Sequence, residues 1–165
     1  MSINNRHCIL LIEDNPADVE LVREILCQLQ VPVYIHNEND GENAMSILMS
    51  RTGKTEVNIF DALNGVEVPI IVDICRPDLI LLDLNMPRKD GFEVIQEVRS
   101  MSDICVIPIV VLTTSTNDSD VERAYKYGAN SYITKPVDFD EFVEIIDKVM
   151  DFWINVNRLP KGNLK

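Results

Sequence analysis

Basic charge is what this sequence has least of. Fifteen Lys and Arg stand against 27 Asp and Glu, giving a formal net charge of -12 over 165 residues. That balance excludes a broad surface for nucleic acid or anionic membrane, since both are bound through Lys and Arg. Long apolar runs are missing as well. None approaches the roughly 20 residues that a bilayer-spanning helix needs. The polar start, Met1 to His7, lacks the apolar centre of a secretory signal. A cytoplasmic protein is expected. Cysteine is sparse and scattered, at Cys8, Cys27, Cys75 and Cys105, with no CxxC pair. Metal and disulfide frameworks need closer or patterned spacing, so reduced and mostly buried thiols are expected. Two histidines, His7 and His36, are too isolated for a zinc site or a catalytic dyad. Aromatics make up only 6% of the chain, so its core should be aliphatic.

What the chain does have is apolar strand-like runs alternating with amphipathic stretches. Hydrophobic residues make up 46%, enough to fill the core of one domain. The first strand is Cys8–Ile12. A helix begins after Asn15-Pro16, with proline suited to the first helical turn. Its Val19, Val22, Ile25, Leu26 and Leu29 recur at helical spacing. A short second strand at Val33–His36 precedes a helix that starts after Asp40-Gly41. The third strand is Leu79–Asp83, followed by a turn through Pro87, Asp90 and Gly91 into a third helix. A fourth strand, Ile107–Leu112, precedes a helix running from Asp118 to Gly128, where glycine suits a left-handed cap. The fifth strand is Ser131–Thr134, and the fifth helix runs from Phe139 past Trp153.

Strands this uniformly apolar belong to a parallel sheet covered by helices on both faces. Right-handed crossovers then give a doubly wound α/β layout of five strands. In that layout ligands bind outside the carboxyl ends of the strands. Those ends carry Glu13 and Asp14 on the first strand, Asp83 on the third, Thr113 on the fourth and Lys135 on the fifth. Three acids in one cleft suit Mg²⁺, a hard cation that takes oxygen ligands and keeps several waters. Asp14 and Asp83 are the candidates for direct ligation. Glu13 would ligate through water, and the backbone carbonyl of Asn85 is a further candidate. Asp83, alone on the central strand, is the candidate nucleophile, since carboxylates form acyl phosphates. Lys135 offers a point charge and Thr113 a hydroxyl to phosphoryl oxygens. Any one of these residues alone is more often a solvated strand end or a helix cap. Their conjunction at four strand ends carries the inference.

The segments Ile12-Glu13-Asp14-Asn15, Leu82-Asp83-Leu84-Asn85-Met86-Pro87 with Asp90-Gly91, Leu112-Thr113-Thr114-Ser115 and Tyr132-Ile133-Thr134-Lys135-Pro136 resemble the motifs of two-component response-regulator receiver domains. The likeness runs in order from about residue 7 to 150. It implies a flavodoxin-like sheet of order 2-1-3-4-5. It implies that Asp83 accepts phosphate from a sensor histidine kinase or a phosphotransfer protein, with Mg²⁺ held by Glu13 and Asp14. It implies that Lys135 and Thr113 contact the phosphoryl group, that Thr113 and Tyr132 form a switch pair, and that the Lys135–Pro136 peptide is cis. Asn85 and Ser115 are expected to tune the dephosphorylation rate. Such a chain is a switch rather than a classical enzyme. A haloacid-dehalogenase-type phosphohydrolase would need a second Asp two residues after the nucleophile, where Asn85 stands. A degenerate receiver serving only as a scaffold is the other alternative.

A receiver is expected over residues 1–155, with an inserted segment at about 52–78 and a short tail at 156–165. The insertion is longer than an ordinary connection. It is expected to form a structured flap on the second helix or an edge strand, or else a loop that docks a partner. The tail leaves no room for a helix-turn-helix, so a stand-alone receiver acting through protein contacts is expected. The insertion, the Leu-Thr-Thr-Ser run and Phe152-Trp153 resemble receivers that pair with cyanobacterial phytochrome-type kinases. A homodimer through the fourth helix, fifth strand and fifth helix is one expectation. Trp153 covering the receiver's own core is the other. Gly53-Lys54-Thr55 imitates the end of a phosphate-binding loop, but the upstream glycine is missing, since that position is Leu48.

Overall fold

In the computed structural model, which describes residues 6–50, 55–72 and 76–160, the alternating pattern folds into a single twisted sheet with helices on both faces. The elements are β1 (His7–Ile12), α1 (Pro16–Gln28), β2 (Val33–Glu38), α2 (Gly41–Met49), β3 (Thr55–Asp61), β4 (Val66–Val72), β5 (Leu79–Leu82), α3 (Gly91–Ser100), β6 (Ile109–Thr113), α4 (Asp118–Tyr127), β7 (Ser131–Thr134) and α5 (Phe139–Met150). A π-helical segment, Asp151–Val156, continues α5. Sheet order is β4-β3-β2-β1-β5-β6-β7. The five strands β2-β1-β5-β6-β7 are parallel and reproduce the expected 2-1-3-4-5 order.

The sheet has seven strands rather than five because the insertion forms a β-hairpin. β3 and β4 pair antiparallel along their length, from Thr55↔Val72 to Asp61↔Val66. β3 meets β2 antiparallel only at Tyr34↔Asp61 and Ile35↔Phe60. The insertion is therefore a structured flap that lies on an edge strand, β2, the second of the two positions expected for it. Its turn is built by Asp61, whose carboxylate accepts from the backbone N–H of Leu63 (3.1 Å) and Asn64 (3.2 Å). Gly53, Lys54 and Cys75 lie outside the described residues.

Strand alternation divides the core into two layers. Leu10, Ile12, Ile80, Leu82, Ile109 and Val111 face α2, α3 and α4. Ile9, Leu11, Leu79, Leu81, Val110 and Leu112 face α1 and α5. Both layers are largely aliphatic, each with one buried phenylalanine, Phe92 or Phe142, and burial of each such side chain is worth about 1.5–3 kcal/mol. Trp153 packs against the α1/α5 layer beside an edge-on Phe152, which is half exposed. Cys27 and Cys105 are free thiols and only half-buried, not buried as expected. Among the described residues no helix is long and apolar enough to cross a membrane.

Helix starts follow local chemistry. Asn15 caps α1 by accepting from Ala17 N–H at 3.0 Å, with Pro16 in the first turn. Asp90 and Glu93 form a reciprocal capping box at α3. Gly128 ends α4 with φ 105°, the left-handed cap its sequence position suggests.

Candidate functional site

Register decides what meets at the carboxyl edge of the sheet. Ile12 pairs with Leu82 and Thr113 with Thr134, so Glu13, Asp83 and Lys135 leave their strands at neighbouring levels. Backbone bonds extend the pairing past the last strand residues. Asp83 N–H donates to Ile12 O (3.0 Å), Glu13 N–H to Glu38 O (2.9 Å) and Lys135 N–H to Thr113 O (2.7 Å). The Asn37 amide ties down the same edge, donating to Leu11 O at 3.1 Å and Glu38 O at 3.2 Å. The loop after Asp83 is drawn against α3 by Gly91. A Cβ there would lie 2.5 Å from Asp83 O and 2.8 Å from Leu84 Cα, so only glycine allows this approach.

Glu13, Asp14 and Asp83 each offer a carboxylate oxygen, all within 4.8 Å of one another. Glu13 is 3% and Asp83 8% exposed, while Asp14 opens to solvent. The Lys135 ammonium reaches into the same space. It donates to Glu13 Oε2 at 2.5 Å and to Asp18 Oδ2 at 2.7 Å, and stands 3.9 Å from Asp83 Oδ2. Burial pushes the Glu13 carboxyl above its ordinary range, and the hydrogen bond from Lys135 only partly offsets this. For Lys135 burial acts to lower the pKa, but its bonds to Asp18 and Glu13 win and hold it raised. One ammonium thus faces four carboxylates, Glu13, Asp14, Asp18 and Asp83, a formal surplus of three negative charges. Hard oxygen donors in that number and with that surplus fit a divalent cation.

Thr113 is fully buried at the end of β6, its Oγ1 3.5 Å from Asn85 Nδ2 and 3.4 Å from Ser115 N. Asn85 N lies 3.4 Å from Asp83 Oδ1. The Tyr132 ring packs against the α2/α3/α4 layer, and its hydroxyl donates to Ser115 O at 3.0 Å. Ser115 Oγ donates to Asp120 Oδ2 at 2.6 Å, linking the loop to α4. All the residues picked from the strand ends are therefore brought together. One expectation fails: the Lys135–Pro136 peptide is trans, as the described backbone holds no cis bond. The trans isomer is intrinsically favoured by about 0.5–1 kcal/mol, and from it the Lys135 ammonium already finds two carboxylate partners.

Asp18 also joins the site, although the sequence does not single it out. An acid in the first turn of a helix reads as a favourable helix-end charge. Its position two residues after Pro16, four after Asp14, is the one signal that it points back to the same edge. Asp40, 1% exposed, looks in the sequence like a helix start and nothing more. It caps α2 through Asn43 N–H at 2.9 Å, and it also binds the Arg88 guanidinium, which ties α2 to the loop after Asp83.

Residues 39–147 match the family of response regulator receiver domains. The response regulator Rcp1 of Synechocystis sp. is 36% identical over 152 residues, covering 92% of each chain. This chain belongs to the response regulator receiver family. The receiver is also 33% identical over 152 residues to the probable methanogenesis regulatory protein FilR2 of Methanothrix harundinacea, covering 92% of this chain and 86% of FilR2. Among solved structures it is similar to the phosphorylated cyanobacterial phytochrome response regulator RcpA, with 36% identity and a TM-score of 0.76 over 94% of this receiver and 99% of RcpA. The Mn²⁺-bound form of Rcp1 gives 35% identity and a TM-score of 0.75 with the same coverage.

Proposed function

We propose that this receiver accepts a phosphoryl group on Asp83 from the phosphohistidine of a sensor histidine kinase, with Mg²⁺, and transmits the event through the α4–β7–α5 surface. The observation that carries this reading is the grouping of Asp83 with Glu13 and Asp14 within 4.8 Å, with the Lys135 ammonium 3.9 Å from Asp83. Glu13, Asp14, Asp83 and the Asn85 carbonyl would hold the cation. When bound, it supplies positive charge that offsets repulsion between these carboxylates and the incoming phosphoryl group. An Asp83 oxygen attacks phosphorus, the P–N bond to the donor imidazole breaks, and the imidazole leaves with the bonding pair and takes up a proton. The product is an aspartyl phosphate. Lys135 and the Thr113 hydroxyl bind its oxygens, so the chain supplies position and charge rather than a separate acid or base.

Ser115 makes the readout local. Its N–H faces Thr113 Oγ1, and its carbonyl accepts the Tyr132 hydroxyl. A shift of Thr113 towards the phosphoryl group moves the Ser115 backbone and releases space for the Tyr132 ring, and Ser115 Oγ carries the change to Asp120 on α4. That is a two-state element biased by one charge event. Asn85 and Ser115 line the approach of water and tune the lifetime. The likeness to RcpA supports a phytochrome-type kinase as partner. Exposed Tyr125, Val137 and Phe139 support a homodimer through α4, β7 and α5.

The test is intact mass after incubation with Mg²⁺ and acetyl phosphate. One added phosphoryl group is expected in the wild type and none in Asp83→Asn. Steady turnover of a phosphoester would instead support the phosphohydrolase. Absence of any adduct, from acetyl phosphate and from a phosphorylated kinase alike, would leave the scaffold reading.

A further inference from the structure

Building on Asp83 as the phosphoryl acceptor, we propose that Asp18 is a resident counter-ion that competes with the phosphoryl group for the Lys135 ammonium and so sets the balance between unmodified and phosphorylated receiver. An ammonium has three protons to donate. Two are committed, at 2.5 Å to Glu13 and 2.7 Å to Asp18, and Asp83 at 3.9 Å receives none. With a side chain only 7% exposed, Lys135 has little access to water as an alternative partner. Its backbone is pinned to Thr113 O, so the ammonium changes partner by a small movement of its tip.

The two carboxylates holding it differ in how readily they release it. Glu13 is 3% exposed and is also fixed by its own loop, accepting from Asn15 N–H at 3.0 Å. Asp18 is 28% exposed and stands in the first turn of α1, where it returns to water and to the helix N-terminus at little cost. Asp18 is therefore the partner that yields when phosphoryl oxygens arrive at Asp83. Until then it draws the ammonium away from Asp83 and adds one negative charge to a site already in surplus. Both effects oppose phosphoryl binding. Removing the Asp18 charge should strengthen it.

Beryllofluoride with Mg²⁺, followed by ¹⁹F NMR titration, reads this balance at equilibrium. Asp18→Asn and Asp18→Ala are expected to bind it about fivefold more tightly than wild type, the size of one partly exposed ion pair. Asp18→Glu, which keeps the charge, should stay within about twofold of wild type. A second readout needs no metal: in EDTA the ¹⁵N resonance of the Lys135 ammonium should move in Asp18→Asn and Asp18→Ala. Thermal melts establish that each variant is folded, and either neutral variant suffices. Equal or weaker beryllofluoride binding in the neutral variants, or an unmoved Lys135 resonance, overturns the proposal. Failure of wild type to bind beryllofluoride, or equal binding by Asp83→Asn, would instead overturn the acceptor role of Asp83, and the Asp18 proposal with it.

Discussion

The carboxyl edge of the sheet and the β3–β4 hairpin are built in opposite ways. The edge gathers Glu13, Asp83, Thr113 and Lys135 from four strands, and none of these residues meets another without the register of the whole parallel sheet. The hairpin pairs with itself along its length, and its backbone meets β2 only at the pairs with Tyr34 and Ile35 and through Ala62 N–H, which donates to Val33 O at 3.1 Å. Its remaining ties are side chains. Arg6 binds Asp61 at 2.5 Å, and Arg23 of α1 binds Glu67 at 3.0 Å and lies over the Phe60 ring. The difference teaches where each region is vulnerable. The site is sensitive to single charges but sits on a rigid frame. The hairpin holds few groups of chemical interest and depends on a handful of anchors.

That contrast breaks first at the site. Asp83→Asn should abolish phosphoryl uptake while melting no lower than wild type, since it removes one of the surplus charges. Lys135→Ala should slow uptake from acetyl phosphate about 100-fold, the usual scale for losing one charge-stabilising donor, as read by the time course of intact mass. In both variants amide exchange across residues 55–72 should match wild type. Faster exchange there would mean that the hairpin senses the site.

The converse variant is Asp61→Ala. Asp61 is 4% exposed and accepts from Arg6, from the Asn64 side chain at 2.7 Å and from two backbone N–H groups in the hairpin turn. Its loss leaves a guanidinium and turn donors unpaired and should cost about 2–4 kcal/mol in urea unfolding. Phosphoryl uptake should remain within about twofold of wild type, as the anchor is remote from the strand ends. A loss of uptake comparable to that of Lys135→Ala would show that the hairpin supports the site.

The two regions also differ in how far the sequence discloses them. Glu13-Asp14, Asp83, Thr113 and Lys135 are legible because each ends an apolar run, and a parallel sheet forces such ends together. Helix starts are legible because Asn15-Pro16, Asp40 and Asp90 are local capping chemistry. Hairpin pairing is a different kind of fact. Val66-Glu67-Val68-Pro69 shows that the insertion packs somewhere, but the choice of β2 as neighbour rests on Arg6, Asp61 and Phe60, residues far apart in sequence that carry no shared pattern. Asp18 is hidden for a related reason, since the charge that gives it meaning, Lys135, lies 117 positions away. The Lys135–Pro136 isomer is not written in the dipeptide, because the two forms of an X–Pro bond differ by only about 0.5–1 kcal/mol.

Acid titration gives the finest form of the comparison, since the two regions respond to pH with opposite sign. Glu13 has a raised pKa in the fold, because burial outweighs Lys135. Its contribution favours the folded state below its ordinary value and is lost as pH rises through the folded one, so at neutral pH the site carries a cost. Asp61 has a lowered pKa: burial pushes it up, but the bonds from Arg6 and Asn64 outweigh burial. Its contribution is fully present above its ordinary value of 3.8 and is lost as pH falls from there through the folded value. The stability difference between wild type and Asp61→Asn, measured by urea unfolding, should therefore be flat from neutral pH down to about pH 4 and shrink below it. A difference that already shrinks between about pH 7 and pH 5 would place the Asp61 carboxyl above its ordinary range, and the hairpin would then be held by the packing of Ile59 against Tyr34 and of Phe60 under Arg23 rather than by the Arg6 ion pair.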